Sequence, residues 1–195
     1  GRLVGALPLA LPLLIPVGKH LISLEMPDKT MKGTVEVLDG RGAEMRFNRA
    51  SGAVVVTLPP AVIVLAEYAG AAAPPELMRR VEETTEKAIQ RAHLASYGKA
   101  AALRRRPQLA GCLTTLACQA KLAVQTDADY VLALRLERRM STAEYVLNLQ
   151  LIDAEVEDVA ASATESCARC TAEQLTTQLG NILQRLFKEG PGRPH

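Results

Sequence analysis

The residues of this chain best suited to chemistry are its four cysteines, which fall into two local pairs, Cys112 with Cys118 and Cys167 with Cys170. Thiols grouped this way serve as disulfides in an oxidising compartment, as a four-thiolate metal site, or as a dithiol redox centre. Cys167-Ala168-Arg169-Cys170 stands just ahead of a helical pattern, where the positive end of the helix dipole favours a thiolate. Dithiol oxidoreductases carry that motif after an early strand of a βαβ unit, not before a final helix. A structural disulfide that pins the strand-to-helix corner is therefore the better reading. Cys112 and Cys118 are too widely spaced for adjacent turns of one regular helix, so a disulfide there needs a bent or looped approach, which Ala110-Gly111 permits. A zinc knuckle calls for two Cys-x-x-Cys pairs, and only one is present.

The remaining candidates are weaker. His20, His93 and His195 are scattered, and His93, late in a helix, reaches only Glu82 or Glu86 as a neighbour across a turn. Asp127 and Asp129 flank the start of a strand, where carboxylates serve turns. The basic run Arg104-Arg105-Arg106 is followed by Pro107, with Tyr97 as the nearby stacking residue. It reads as a solvated loop or helix end rather than a nucleic-acid site. No Gly-rich phosphate loop, nucleophile elbow or His-Glu-x-x-His motif occurs. The sequence thus points to no catalytic set, no metal and no cofactor.

The elements that must position the cysteines are legible. Asp129 to Glu137 and Tyr145 to Asp153 alternate apolar and polar residues with period two, as strands with one buried face do, and a polar connection joins them as a hairpin. Their polar faces carry Arg135, Glu137, Asn148 and Gln150, a contact surface without a convergent catalytic group. A third, alanine-rich strand covers Val156 to Thr164. Thr171-Ala172-Glu173-Gln174 is a capping box that opens a helix running to about Lys188, with Leu175, Leu179, Ile182, Leu183 and Leu186 inward. Before the hairpin, Leu109 to Thr126 reads as one helix, with Leu113, Leu116, Ala120 and Val124 at helical spacing.

Upstream, Ala61 to Ala66 is a continuous apolar run suited to a central strand covered on both faces. Pro75 then starts a helix to residue 92, whose stripe is Leu77, Val81, Ala88, Ile89 and Ala92. A short strand is expected near Leu94 to Tyr97. Residues 33 to 57 read as a three-strand meander, with Asp39-Gly40-Arg41-Gly42 as the first hairpin turn. Pro59-Pro60 is the natural boundary. The expected organisation is an apolar, Pro-rich arm at 1–19, a β-meander at 20–60, an α/β domain at 61–188 and a tail at 189–195. The fold class is α/β (α+β): a mixed sheet with helices packed on it, preceded by a small antiparallel meander.

Composition narrows the setting. In 195 residues, 48% hydrophobic content supports a real core, while 3% aromatics and the absence of Trp leave it to Ala, Leu and Val. A formal net charge of +2 lacks the concentrated basic face of a nucleic-acid binder. The arm has one basic residue, Arg2, before an apolar run, like the first regions of a secretory signal peptide. Its three prolines and its short length argue against a membrane-spanning helix. It is either a signal remnant or an extended arm whose Leu9, Leu11, Leu13, Leu14 and Ile15 contact its own domain or a neighbour.

From about Val62 onward the chain resembles the amino-terminal α/β domain of bacterial, myxobacterial-type PEGA-domain envelope proteins. That domain is in turn similar to the periplasmic domain of the curli secretion channel and to the domain preceding the Tol system's β-propeller. The matching residues are Val62-Ile63-Val64-Leu65, Gly111-Cys112 with Cys118, Ala128 to Leu132, Leu147 to Ala154, and Cys167 to Thr171. Where such proteins carry Gly after the Leu-Ile-Asp-Ala segment, this chain has Glu155-Val156-Glu157-Asp158. The resemblance implies a non-catalytic, exported domain, in the periplasm or at the cell surface, that associates with other envelope proteins or with itself. It also implies that both cysteine pairs are oxidised. The alternative from a different class is a cytosolic thiol-redox or zinc-binding protein using the four cysteines. A third possibility is a small-ligand domain with its pocket between helix 75–92 and the sheet.

Overall fold

The computed structural model describes residues 15–16, 18–37, 44–70, 73–99, 102–103, 106–111, 113–139 and 143–189. The chain divides into two compact units, Gly1–Leu58 and Pro59–His195.

The first unit holds two antiparallel hairpins. Strand β1 (Gly18–Glu25) pairs along its whole length with β2 (Thr30–Val37), from Gly18 opposite Val37 to Glu25 opposite Thr30. The Met26 N–H closes the turn on the Lys29 carbonyl at 2.9 Å, around a Pro27-Asp28 pair whose chemistry favours a turn. Strand β3 (Glu44–Phe47) pairs with β4 (Val54–Thr57). In the loop between them, the Asn48 side-chain oxygen accepts the N–H groups of Ala50 and Ser51 at 3.0 and 3.1 Å. The expected meander is therefore corrected. The strand at 33–37 pairs backward with β1 rather than forward with 44–47, because an eight-residue partner on its N-terminal side offers the longer ladder. The turn expected at 39–42 lies outside the described residues.

The second unit is a five-stranded mixed sheet with three α-helices among the described residues. Strand β5 (Ala61–Gly70) leads through α1 (Pro75–Arg91) to β6 (Ala95–Gly98), parallel on one side of β5. A 3₁₀ turn (Pro107–Leu109) and α2 (Leu116–Gln125) follow. The chain then enters β7 (Tyr130–Arg139), parallel on the other side of β5, and continues antiparallel through β8 (Glu144–Asp153) and β9 (Asp158–Ala168) to α3 (Ala172–Glu189). The two parallel crossovers run in opposite lateral directions, so one handedness sends their helices to opposite faces of the sheet.

The core follows that division. On one face, Val62, Leu132, Leu134, Leu149 and Leu151 pack under Val81 and Ile89 of α1 and Leu175, Leu179 and Leu183 of α3. On the other, Ile63, Val131 and Ile152 pack under Ala120, Leu122 and Ala123 of α2. Leu151 and Ile152, consecutive on β8, face opposite cores as period-two alternation requires, and the β8–β9 ladder shifts register between them. Helix α1 begins where Pro75 fixes it, and the capping box of α3 is formed: the Gln174 N–H donates to Thr171 Oγ1 at 3.2 Å, and the Thr171 N–H to Gln174 Oε1 at 3.0 Å.

Two expectations change. The helix read over Leu109 to Thr126 does not begin until Leu116, since Pro107 and the Ala110-Gly111 step hold the preceding residues in a 3₁₀ turn and loop. The turn after β8 forms without a glycine, on Glu155-Val156-Glu157. Asp153 Oδ1 accepts the Glu155 N–H at 2.8 Å, and Glu157 takes the left-handed conformation at φ 55°.

Candidate interaction surfaces

Cys167, next to last in β9, is bonded to Cys170 just before α3, with a Cα–Cα separation of 5.7 Å. Between them Arg169 adopts φ 55°, and its N–H donates to the Ala143 carbonyl at 3.0 Å, across to the start of β8. The cysteine pair thus closes the loop from the edge strand to the closing helix, while the capping box satisfies the helix start beyond it. Cys118, in α2, is also disulfide-bonded. Cys112 lies outside the described residues, as do Leu9, Leu11, Leu13 and Leu14 of the arm. Ile15 is half-buried, and the next residue, Pro16, meets His20 Nε2 through its carbonyl at 2.7 Å.

Among the described residues no three His, Cys, Asp or Glu side chains gather as a metal site would require. His93 is exposed and stands beyond the end of α1 at φ 57°, a capping position rather than a place within the helix. Arg104 and Arg105 are outside the described residues; Arg106 caps the 3₁₀ turn. No described helix is long and apolar enough to cross a membrane.

The sheet face opposite α1 and α3 is apolar beneath α2 and polar beyond it. There the register aligns Arg135, Asn148 and Thr164 across three strands, and Thr164 Oγ1 donates to Asn148 Oδ1 at 2.9 Å. Arg135 and Gln150 are exposed, Glu137 and Asn148 half-buried. Arg139 pairs with Glu137 at 3.5 Å and Glu144 at 3.7 Å, and Arg138 lies over the Tyr145 ring at 5.7 Å. The four polar residues singled out in the sequence share one surface, as period-two alternation requires.

A second surface was only outlined by the sequence. Between α1 and the sheet runs a groove of about 350 Å³, floored by Val64, Ala66 and Tyr68 and walled by Glu82, Thr85 and Glu86. Its polar rim closes at Ser96 and Lys99. The Tyr68 hydroxyl donates to the Met78 carbonyl at 3.5 Å, and burial, with the Glu82 charge second, raises its pKa. Among the described residues β6 pairs with Ala61 to Val64, whereas β5 continues to Gly70, which leaves room for the groove. From Leu65 to Gly70, β5 is paired on one side alone among the described residues, by β7. Thr85, a polar residue inside the apolar stripe, marks the helix face turned to this groove; it is buried, with Oγ1 donating to the Val81 carbonyl at 2.8 Å.

No protein-family model matches the chain, and no curated protein sequence matches it. Solved structures with a similar trace include a PelC dodecamer from Paraburkholderia phytofirmans, at 18% identity over 66% of this chain and 88% of that one, with a TM-score of 0.44. They include lipoprotein GNA1162 from Neisseria meningitidis, at 13% identity over 66% and 96%, with a TM-score of 0.46. The LpoB C-terminal domain from Escherichia coli is similar at 15% identity over 56% and 83%, with a TM-score of 0.44. At these identities and scores, function has to be argued from the residues themselves.

Proposed function

We propose that this chain is a non-enzymatic domain of the bacterial cell envelope, exported to the periplasm or cell surface, which works by protein–protein association. The observation that carries the reading is the state of the cysteines. Cys167 is bonded to Cys170, Cys118 is disulfide-bonded, and no described cysteine is free. Disulfides persist in exported proteins, whereas cytosolic thiols are kept reduced. The resemblance of residues 62 to 171 to the α/β domain of PEGA-associated envelope proteins supports the same setting. Two features suit association rather than chemistry: the polar sheet face around Arg135 and Asn148, and the half-paired strand β5 beside an apolar groove. Open strand edges combine with extended segments by strand addition, and the sequence offers the apolar stretch with Leu9, Leu11, Leu13, Leu14 and Ile15 as a candidate contact.

Thiol titration of the unreduced protein, together with metal analysis, tests the reading. The expected result is no titratable thiol and no bound metal. Four free thiols with stoichiometric zinc would sink it in favour of a cytosolic zinc-binding protein.

A further inference from the structure

The corner where β9 meets α3 is held by more than its disulfide. Cys167 and Cys170 are both half-buried, with exposed Ala168 and Arg169 between them. Three other contacts fix the same corner. Cys167 lies opposite Tyr145 in the β8–β9 ladder, the Arg169 N–H donates to the Ala143 carbonyl at 3.0 Å, and Thr171 and Gln174 cap α3 reciprocally. None of these involves sulfur, so opening the bond leaves the two thiols close together. Arg169 keeps φ 55° through its own hydrogen bond, which holds the loop folded back for reclosure.

The surroundings favour a thiolate. Cys170 immediately precedes the Thr171 cap, at the positive end of an 18-residue helix. The Arg169 cation stands between the two cysteines in the chain. Across the sheet, Cys167 is opposite Tyr145 and Tyr145 is opposite Arg138, whose guanidinium lies over the ring at 5.7 Å. The carboxylates at this corner are Glu144, which lies 3.7 Å from Arg139, and Glu173 in the first turn of α3. A sulfur whose thiolate is stabilised leaves faster in exchange. Structural disulfides of exported proteins resist the glutathione pool, whereas exposed ones are the labile and regulatory class.

We infer that Cys167–Cys170 is a reversible thiol–disulfide exchange site, a redox switch that a dithiol protein of the envelope opens while the domain stays folded. A thiolate of the partner attacks one sulfur, the S–S bond breaks, and the other sulfur leaves as a thiolate. The partner's second thiol gives up its proton and attacks the mixed disulfide, displacing the second cysteine. Two electrons pass from the partner's dithiol to the pair, and its two protons end on Cys167 and Cys170. This rests on the envelope reading and adds a redox input to it. The pair stands before the final helix rather than after an early strand, which makes it a switch and not a turnover centre.

Reduced glutathione is the probe. The oxidised full chain is incubated with it, trapped with iodoacetamide and scored by peptide mass, with circular dichroism in parallel. The pair should open at glutathione concentrations on the order of millimolar with the dichroism unchanged, and close again when oxidised glutathione is added. Arg169→Glu should slow the opening roughly threefold or more, while Arg169→Lys keeps the charge and stays within about twofold. Should Arg169→Glu misfold, Arg138→Gln gives the same reading from β7. A pair that resists glutathione in the folded protein, or opens only as the dichroism is lost, overturns the switch. Equal rates for the Glu and Lys variants overturn the charged corner as its basis. Cys118, scored in the same digest, keeps the two readings apart. A bonded Cys118 beside an inert pair removes the switch and leaves the envelope reading standing; a free Cys118 thiol before any reductant is added counts against the envelope reading instead.

Discussion

Asp129 holds Ala61 at two points: its Oδ2 accepts the Ala61 N–H at 2.7 Å, and its own N–H donates to the Ala61 carbonyl at 2.9 Å. Its carbonyl also accepts the Ala154 N–H at 2.9 Å. One residue thereby sets the starts of β5 and β7 and the end of β8 in register. Ala61 is fully buried, so an Asp129→Ala variant strands its N–H. The expected loss is about 1–3 kcal/mol in urea denaturation. Asp129→Asn keeps an acceptor oxygen and should lose markedly less. Equal midpoints for the Asp129→Ala variant and the wild type would show that the side chain contributes nothing.

Leu132, the third residue of β7, is fully buried between the sheet and the helices, with Val64 and Leu151 as its strand partners. Leu132→Ala should cost about 2–5 kcal/mol through lost burial and the cavity left behind. Val124 is as apolar but stands 55% exposed on α2. Val124→Ala should stay within about 0.5 kcal/mol. Chemical denaturation of the two variants separates core from surface, and similar losses in both would contradict that packing.

Much of the second unit was legible because local pattern and tertiary role agree. The alternation in β7 and β8, the unbroken apolar run of β5, Pro75 at the start of α1 and the Thr171 capping box each state the outcome in neighbouring residues. The first unit was less so. Leu21 sits on the exposed side of β1, at 65%, and blurs an alternation that His20, Ile22 and Leu24 otherwise carry. The start of α2 was misplaced because Leu109 and Leu113 are buried at helical spacing without being part of an α-helix. The groove was hidden for a different reason. It depends on β6 ending at Gly98 while β5 runs on to Gly70, a difference between two distant segments that no single window of sequence contains.

Gly33 in β2 faces the second hairpin of its unit at close range. A Cβ there would lie 2.5 Å from Val54 Cγ1 and 2.8 Å from Met45 Cε. The methionine can turn aside, but the β-branched valine has little rotamer freedom. Gly33→Ala should therefore destabilise the first unit by about 1–3 kcal/mol. Val54→Ala in the same chain removes the obstructing methyls, so the double variant should lose less than the sum of the two single changes. Strict additivity would argue against the contact.

Glu165 on β9 ties the edge strand to α3. Its Oε2 accepts from Gln178 Nε2 at 2.8 Å and its Oε1 from Arg185 Nη2 at 3.0 Å. The Gln178 hydrogen bond, followed by the one from Arg185, holds its pKa below the ordinary glutamate value. The folded state thus favours the carboxylate more than the unfolded state does. The resulting stability is fully present above the unfolded pKa and is lost as pH falls through the lower, folded one. Glu165→Gln should flatten the acid limb of the stability–pH profile, and carboxyl NMR titration should place Glu165 below the ordinary glutamate value. A Glu165 titrating at the ordinary value would contradict the charge-assisted pairing.

The Cys167–Cys170 bond joins residues only three apart in sequence, so the chain-entropy contribution is at the small end, about 2 kcal/mol. The Arg169 N–H to Ala143 bond and the capping box act on the same corner and remain when the sulfurs part. A Cys167→Ser, Cys170→Ser double variant should therefore fold and lose about 2 kcal/mol. Hydrogen exchange should quicken at residues 166–172 and hardly change in β7. Comparing that variant with the wild type under reductant isolates the disulfide that includes Cys118, since only the reductant breaks both. If the double variant matches the wild type in denaturant midpoint, the corner is held by its hydrogen bonds alone. The cysteines there would then report the compartment of the chain rather than stabilise it.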